Sequence, residues 1–553
     1  MKGSVAFLIL VLTAATLAGC AQQNNPGTTS GAPPAGYTTV PGGTFAADAL
    51  SPKMYAVQPV QEMWTTASDG VRINSAVYRP DTTEKVPVYI NFSPYWADTA
   101  TTKGDNFASY MIDEYVPRGF AVVLTAVRGT GHSEGCFEVG SDRELKDLNE
   151  VVDFFSKQSW STGSIAAGAK SYDATSQNGM IAKFPHPALK GIFHVEGITD
   201  MYSYTFQEGV PARVDAAAFN ADYSVGQGLA EYGFPAAAVA GSPTDETPES
   251  LARLSGDAAC PELAMHVANP AASMATGVKT AYWTERDWTT SIAKSAWHGS
   301  IFFVHGLQDW NVQPSHILPW LSEVQKNAGI SVYAWIHQWT ADDKVGGDGH
   351  VYPKRTDWNV TMLAWLDTIL KNKNVGFELN DYQVQADDGV WRDSKVWPPT
   401  NSWIDVQGAS NGGEVVAAKD APVRISGEVV VDVQATSTNP DPVIEVSLVD
   451  FGGSAPVVFG EGVLRGILRD SLETPSPVVY GQSYTYHVKL FPLDHVVLAG
   501  HQVKVGFGAG VSHATPLPQQ ELGITYGAAT LHFPTASLDT LPVQPTLMKC
   551  FTC

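Results

Sequence analysis

The feature that most restricts the fold is an alternation of two kinds of segment between residues 85 and 373. Continuous apolar, β-branched runs at 86–92, 120–127, 164–169, 191–195, 300–305 and 330–336 are separated by amphipathic stretches. Among these, 106–116, 143–156, 316–326 and 357–370 repeat their apolar residues three or four apart. A strand without a polar side must be covered on both faces, and the amphipathic stretches are what can cover it. The pattern therefore predicts an α/β fold with a largely parallel sheet, whose chemistry collects in loops at the C-terminal ends of the strands.

The alternation lapses over 200–294, an Ala-, Tyr- and Pro-rich stretch that reads as helices with no clear strand. Such an insertion is expected to form a cap over the site. Beyond 374, short strands at 429–433, 444–449, 484–490 and 502–507 follow one another between Gly, Pro and Asn turns, an all-β pattern that predicts a sandwich or jelly roll. A chain of 553 residues is too long for one core. The expected division is an α/β catalytic domain over 51–199 and 295–373, a helical cap over 200–294 and a β domain over 374–553.

The first residues read as a targeting segment. Lys2 is followed by an apolar run over 5–17 and then by Leu17-Ala18-Gly19-Cys20, which resembles the bacterial lipobox. That resemblance implies a lipoprotein signal peptide over 1–19, lipidation of Cys20 and a flexible linker over 20–50. The linker is rich in Gln, Asn, Pro, Gly, Thr and Ser. The expected location is outside the cytoplasm, at the cell membrane or surface, with the membrane as a partner through the lipid. Cys136, Cys260, Cys550 and Cys553 remain, and an exported chain can oxidise them; three pairings are open. A formal charge of −22 and the lack of a basic stripe argue against nucleic-acid partners.

Three loops carry residue types that together make a nucleophile. A serine hydroxyl needs a base to take its proton, and the base needs a carboxylate to hold its tautomer. Ser171, in Ala169-Lys170-Ser171-Tyr172-Asp173, follows the strand 164–169 and precedes the helix-like 175–183, as a nucleophile elbow requires. Ala169 and Asp173 stand where the usual motif has glycines. Asp309 follows the strand 300–305 within His305-Gly306-Leu307-Gln308-Asp309-Trp310-Asn311-Val312. His350 closes Gly346-Gly347-Asp348-Gly349-His350, between the strand 330–336 and the helix 357–370. His337 and, more weakly, His132 compete for the role of base. Asp342, Asp343 and Asp348 lack the spacing of a calcium loop and read as a solvated turn. No metal or organic cofactor is required by this chemistry.

Lys170-Ser171-Tyr172, the Asp309 segment, Gly349-His350-Val351-Tyr352 and Tyr282-Trp283-Thr284-Glu285-Arg286-Asp287 occur in an order that resembles the Xaa-Pro dipeptidyl-peptidase family. This family of serine hydrolases is related to cocaine esterase and α-amino-acid ester hydrolases. The likeness covers about 60–520, including Leu464-Arg465-Gly466-Ile467-Leu468-Arg469 in the β domain. It departs at Ala169 and Ala174, where the family has Gly. The resemblance implies an α/β-hydrolase domain with a jelly roll, and a triad of Ser171, Asp309 and His350. It also implies an oxyanion hole shared by the Tyr172 N–H and the Tyr95 hydroxyl. Arg128 and the loop 128–135 would brace the site.

A substrate with a free amine would need an acceptor, for which Glu196 is the candidate, with Asn311 beside the acid. Tyr202, Tyr204, Trp310 and Val312 would form an apolar pocket. The expected substrate is a peptide with proline second. An acyl or amino-acid ester and a non-catalytic surface binding role are the alternatives, and no oligomeric state is specified.

Overall fold

A computed structural model describes residues 49–94, 106–212, 273, 275–309, 312–338, 355, 357–399, 402–408, 414–417, 420–508 and 522–539. Its centre is a ten-stranded sheet. Two antiparallel strands begin it, β1 (Gln61–Thr66) and β2 (Arg72–Tyr78). They are followed by β3 (Val86–Ser93), β4 (Ala121–Ala126), β5 (Ser161–Lys170) and β6 (Leu189–Val195). A short hairpin, β7 (Phe206–Gln207) and β8 (Val210–Pro211), stands apart. The sheet resumes with β9 (Gly299–Gly306), β10 (Ile330–His337), β11 (Asp381–Gln385) and β12 (Trp391–Ser394). The spatial order is β1-β2-β4-β3-β5-β6-β9-β10-β11-β12. The seven strands from β4 to β11 in this order run parallel, and β1, β2 and β12 enter antiparallel.

Side-chain parity explains the two-sided cover. Along β3, Val88, Ile90 and Phe92 enter one core while Tyr89 enters the other; Phe302 and Phe303 divide the same way on β9. The helices α2 (Asp142–Ser156) and α3 (Thr175–Lys183) cover the first face, with Leu145, Leu148, Val151 and Met180 in its core. The short α4 (Met201–Thr205) and α5 (Ala281–Glu285) belong to the cap, and α6 (Ile317–Val324) also packs on the first face. The second face is covered by α1 (Asn106–Tyr115) and α7 (Trp358–Lys371), through Met111, Ile112, Trp365 and Leu366. Each such side chain contributes about 1.5–3 kcal/mol by burial, which is why these segments become helices on a sheet.

Two expectations change. The expected boundary at 374 falls too early, because β11 pairs in parallel with β10 and β12 pairs with β11. The composition shift that suggested the boundary marks the end of the helices, not of the sheet. The cap, expected to lack strands, contains the β7–β8 hairpin; residues 213–272 lie outside the described residues.

The remaining strands form two antiparallel sheets over one core. They are β13 (Ser402–Gly408), β14 (Glu414–Ala417), β15 (Val423–Gly427), β16 (Val430–Ser437) and β17 (Val443–Phe451). β18 (Val457–Arg465), β19 (Ser483–Lys489), β20 (Leu493–Val497), β21 (Gln502–Phe507) and β22 (Ile524–Ala536) complete them. The order is β19-β16-β22-β15-β20, with β13 on β22, against β14-β21-β17-β18. Val431, Val433, Ile444, Val446, Tyr486 and Leu531 fill the space between. Among the described residues no helix is long and apolar enough to cross a membrane.

Candidate active site

The site is built at the C-terminal ends of β5, β6 and β9. Ser171 is the first residue after β5 and has φ 60°, a left-handed conformation costly for a residue with a Cβ. The chain turns through a 3-10 segment, Ser171–Ala174, and continues directly as α3. Thr175 Oγ1 donates to Ser171 O at 3.0 Å, closing the turn. Ser171 is 8% exposed, whereas Tyr172 behind it is wholly buried. This is the strand–turn–helix geometry expected of the elbow despite the missing glycines.

A close approach replaces one of those glycines. Ala174 lies against Gly197 in the loop after β6, where an added Cβ would sit 2.8 Å from Ala174 Cβ and 3.1 Å from its carbonyl carbon. The methyl at 174 is tolerated because residue 197 has none. Glu196, next to it, is buried and has φ 50°; its N–H donates to Val304 O at 2.9 Å.

Asp309 lies three residues beyond β9 and is fully buried. Its N–H donates to Gly306 O at 3.2 Å, and its Oδ1 accepts the Val312 N–H at 2.8 Å. His305 Nε2–H donates to Val312 O at 2.9 Å, so both ends of the acid loop are tied back. Gln308 donates to Gln338, and Gln338 Nε2 donates to Asp494 O at 2.8 Å, which links this loop to the β domain.

Beneath the elbow, Glu144 on α2 accepts three kinds of donor. Tyr172 Oη lies 2.9 Å from both carboxylate oxygens, Ser176 Oγ donates at 2.7 Å and the Gly140 N–H at 3.0 Å. Burial pushes this carboxyl up to about 7, against the pull of its donors. Arg128 is tied to α2, bonded to Asp147 through Nε and Nη2, and to Asp69 at 2.9 Å. Glu144 was not singled out in the sequence. Its signal was a carboxylate on the stripe of Leu148, Val151 and Phe155, which a helix buries.

The two histidines that compete for the role of base lie among the described residues. His337 ends β10, three strand spacings from β5, roughly 14 Å. Burial lowers it to about 3. His132 approaches Glu62 of the edge strand β1 at 3.4 Å. Of the pocket candidates, Tyr202 is consumed by cap packing. It stacks on Phe206 at 5.2 Å and donates its hydroxyl to Gly277 O. Tyr204 and Val312 are buried, 4% and 1% exposed. Cys136 is disulfide-bonded. Tyr95, Trp310, Asn311, His350, Cys20, Cys260, Cys550 and Cys553 lie outside the described residues.

The sequence matches the X-Pro dipeptidyl-peptidase (S15 family) over residues 69–340 and the X-Pro dipeptidyl-peptidase C-terminal non-catalytic domain over 414–536. A Streptomyces avermitilis protein provisionally named Xaa-Pro dipeptidyl-peptidase is 27% identical over 308 residues, 50% of this chain and 39% of its own. The chain thus spans well under half of that relative's length. A Bacillus cereus protein with the same provisional name is 25% identical over 502 residues, 78% of this chain and 81% of its own. The fold matches an α-amino-acid ester hydrolase structure with a TM-score of 0.61, at 16% identity, over 89% of this chain and 96% of the other. The architecture is an α/β-hydrolase sheet followed by the family's β domain, and the chain belongs to the S15 family of X-Pro dipeptidyl-peptidases.

Proposed function

We propose that this chain is an exported serine hydrolase that removes Xaa-Pro dipeptides from peptide N-termini through an acyl-enzyme. The observation that carries the reading is the left-handed Ser171 between β5 and α3, with a buried Asp309 after β9. Ser171 Oγ attacks the prolyl carbonyl carbon while His350 takes its proton. Asp309 keeps the imidazole oriented, and its Oδ1 is already held by the Val312 N–H. The Tyr172 N–H and Tyr95 hydroxyl stabilise the oxyanion. His350 then protonates the departing amine, and water, activated by the same histidine, releases the dipeptide from Ser171.

Glu196 is proposed as the acceptor for the substrate amine, with Asn311 beside the acid, and Trp310 and Val312 around the proline side chain. The Leu17-Ala18-Gly19-Cys20 sequence supports lipidation at Cys20 and membrane attachment outside the cytoplasm.

The test is labelling with a fluorophosphonate, lost in Ser171→Ala, together with turnover of Ala-Pro-nitroanilide. Failure of the intact protein to label overturns the hydrolase reading. Faster turnover of acyl nitrophenyl esters and of an N-blocked Ala-Pro substrate overturns the dipeptidyl-peptidase assignment in favour of an esterase. Cys20→Ala, followed by membrane fractionation, tests the anchor.

A further inference from the structure

We propose that Glu144 is a positioning residue for the reaction: it fixes Tyr172, and through it the backbone N–H that receives the oxyanion. The inference rests on the hydrolase reading above and adds a residue to its machinery.

An oxyanion donor works only if its direction is set before the charge develops. The peptide between Ser171 and Tyr172 starts from a left-handed residue, and the Thr175 hydroxyl and N–H close the turn behind it on the Ser171 and Tyr172 carbonyls. What anchors the turn to the fold beneath it is the Tyr172 side chain. Its ring is wholly buried, 5.6 Å from the Phe137 ring, and its hydroxyl meets both oxygens of Glu144. The same carboxylate receives Ser176 from the first turn of α3 and the Gly140 N–H from the loop that enters α2. One group therefore ties the residue after the nucleophile, the helix after the elbow and the helix beneath both.

At the start of α2 the carboxylate takes part in the cap, its Oε2 accepting the Gly140 N–H while Ser141 Oγ accepts the Glu144 N–H, but that cap leaves Oε1 for Ser176 and Tyr172 at the elbow. Among the described residues no Lys, Arg or His forms an ion pair with Glu144. Its donors are neutral, and two of the three side-chain or backbone groups that bind it, Tyr172 and Ser176, belong to the elbow and its helix. Protonation would reverse part of this arrangement. The added hydrogen needs an acceptor, so the Tyr172 or Ser176 hydroxyl would have to turn. The titratable groups facing Glu144 are Tyr172 from the elbow and Asp147 one turn along α2; Asp147 is itself paired with Arg128 and Arg143.

The experiment measures kcat and KM on Ala-Pro-nitroanilide for Glu144→Gln, Tyr172→Phe and the double variant, from pH 5 to 9. Tyr172→Phe keeps the backbone N–H and the ring. Displacement of a preorganised donor should lower kcat about 10-fold in each single variant, with KM within about twofold. The double variant should be no worse than either, since both remove one link. In the unmodified enzyme the acid limb of kcat should be steeper than a single ionisation, and Glu144→Gln should return it to one. If Glu144→Gln fails to fold, Tyr172→Phe decides, because it leaves the carboxylate and its other two bonds in place. Enzyme that labels with fluorophosphonate but keeps its kcat and pH profile in folded Tyr172→Phe overturns the role of Glu144 alone. Absence of labelling in the unmodified protein overturns the hydrolase reading and this role with it.

Discussion

Ser171 and Glu196 leave neighbouring strands at the same level: their predecessors, Lys170 and Val195, are paired in the β5–β6 register, and both residues have positive φ. Two side-chain-bearing residues in this region, side by side, mark the point where the sheet gives up regular geometry for a site. Relief of the strain should be measurable. Ser171→Gly is expected to stabilise the fold by about 1 kcal/mol, the gain in φ exceeding the entropic loss. It should also abolish fluorophosphonate labelling. Chemical denaturation of the two proteins checks this, and a destabilised glycine variant would contradict it.

The contact between Gly197 and Ala174 gives a second prediction. Gly197→Ala introduces a methyl 2.8 Å from Ala174 Cβ, and neither the strand end nor the elbow can retreat freely. Turnover should fall on the order of 10- to 100-fold through displacement of the nucleophile. Adding Ala174→Gly should recover most of the loss. Steady-state kinetics of the single and double variants measure the coupling, and additive effects would dissociate the two positions.

Glu144 also sets a pH dependence of stability. Its folded value, about 7, stands above its ordinary 4.5. The folded state therefore holds the proton more tightly, and stability falls as pH rises from about 4.5 to 7. Full burial puts the effect on the order of 3 kcal/mol. Glu144→Gln should flatten this part of the curve when urea midpoints are compared at pH 5 and pH 8.

His495 has the opposite sign. It lies between Asp387, to which Nδ1 is bonded, and Asp450, 3.0 Å from Nε2. Burial opposes its charge, but the two carboxylates win and raise its folded value. Its contribution is complete below about 6.5 and is lost as pH rises through the raised value. His495→Gln should remove this alkaline loss. Thermal unfolding between pH 6 and 9 reads it, and an unchanged slope would exclude His495 as the source.

Much of this architecture was legible because burial imposes a pattern. The runs at 86–92, 300–305 and 330–336 became β3, β9 and β10 within a residue or two, since strands covered on both faces have no polar side. β1 and β2 were not identified, because both mix polar with apolar residues and β1 is an edge strand. The elbow at Ser171 was readable from its strand and helix, although its spacing of glycines was wrong. Gly197 was not readable: it compensates for Ala174 across two strands, and no local pattern links residues 23 apart in sequence. Tyr202 resembled a pocket residue by type, but its hydroxyl was already engaged by Gly277.

The extension of the sheet through β11 and β12 determines where the molecule can be cut. A fragment ending at 373 would strip β10 of its neighbour and leave the backbone of residues 333–336 as an open edge, a template for intermolecular pairing. For expression of the hydrolase unit alone, the first defensible terminus is therefore beyond Ser394, and a shorter fragment should be recovered as aggregate.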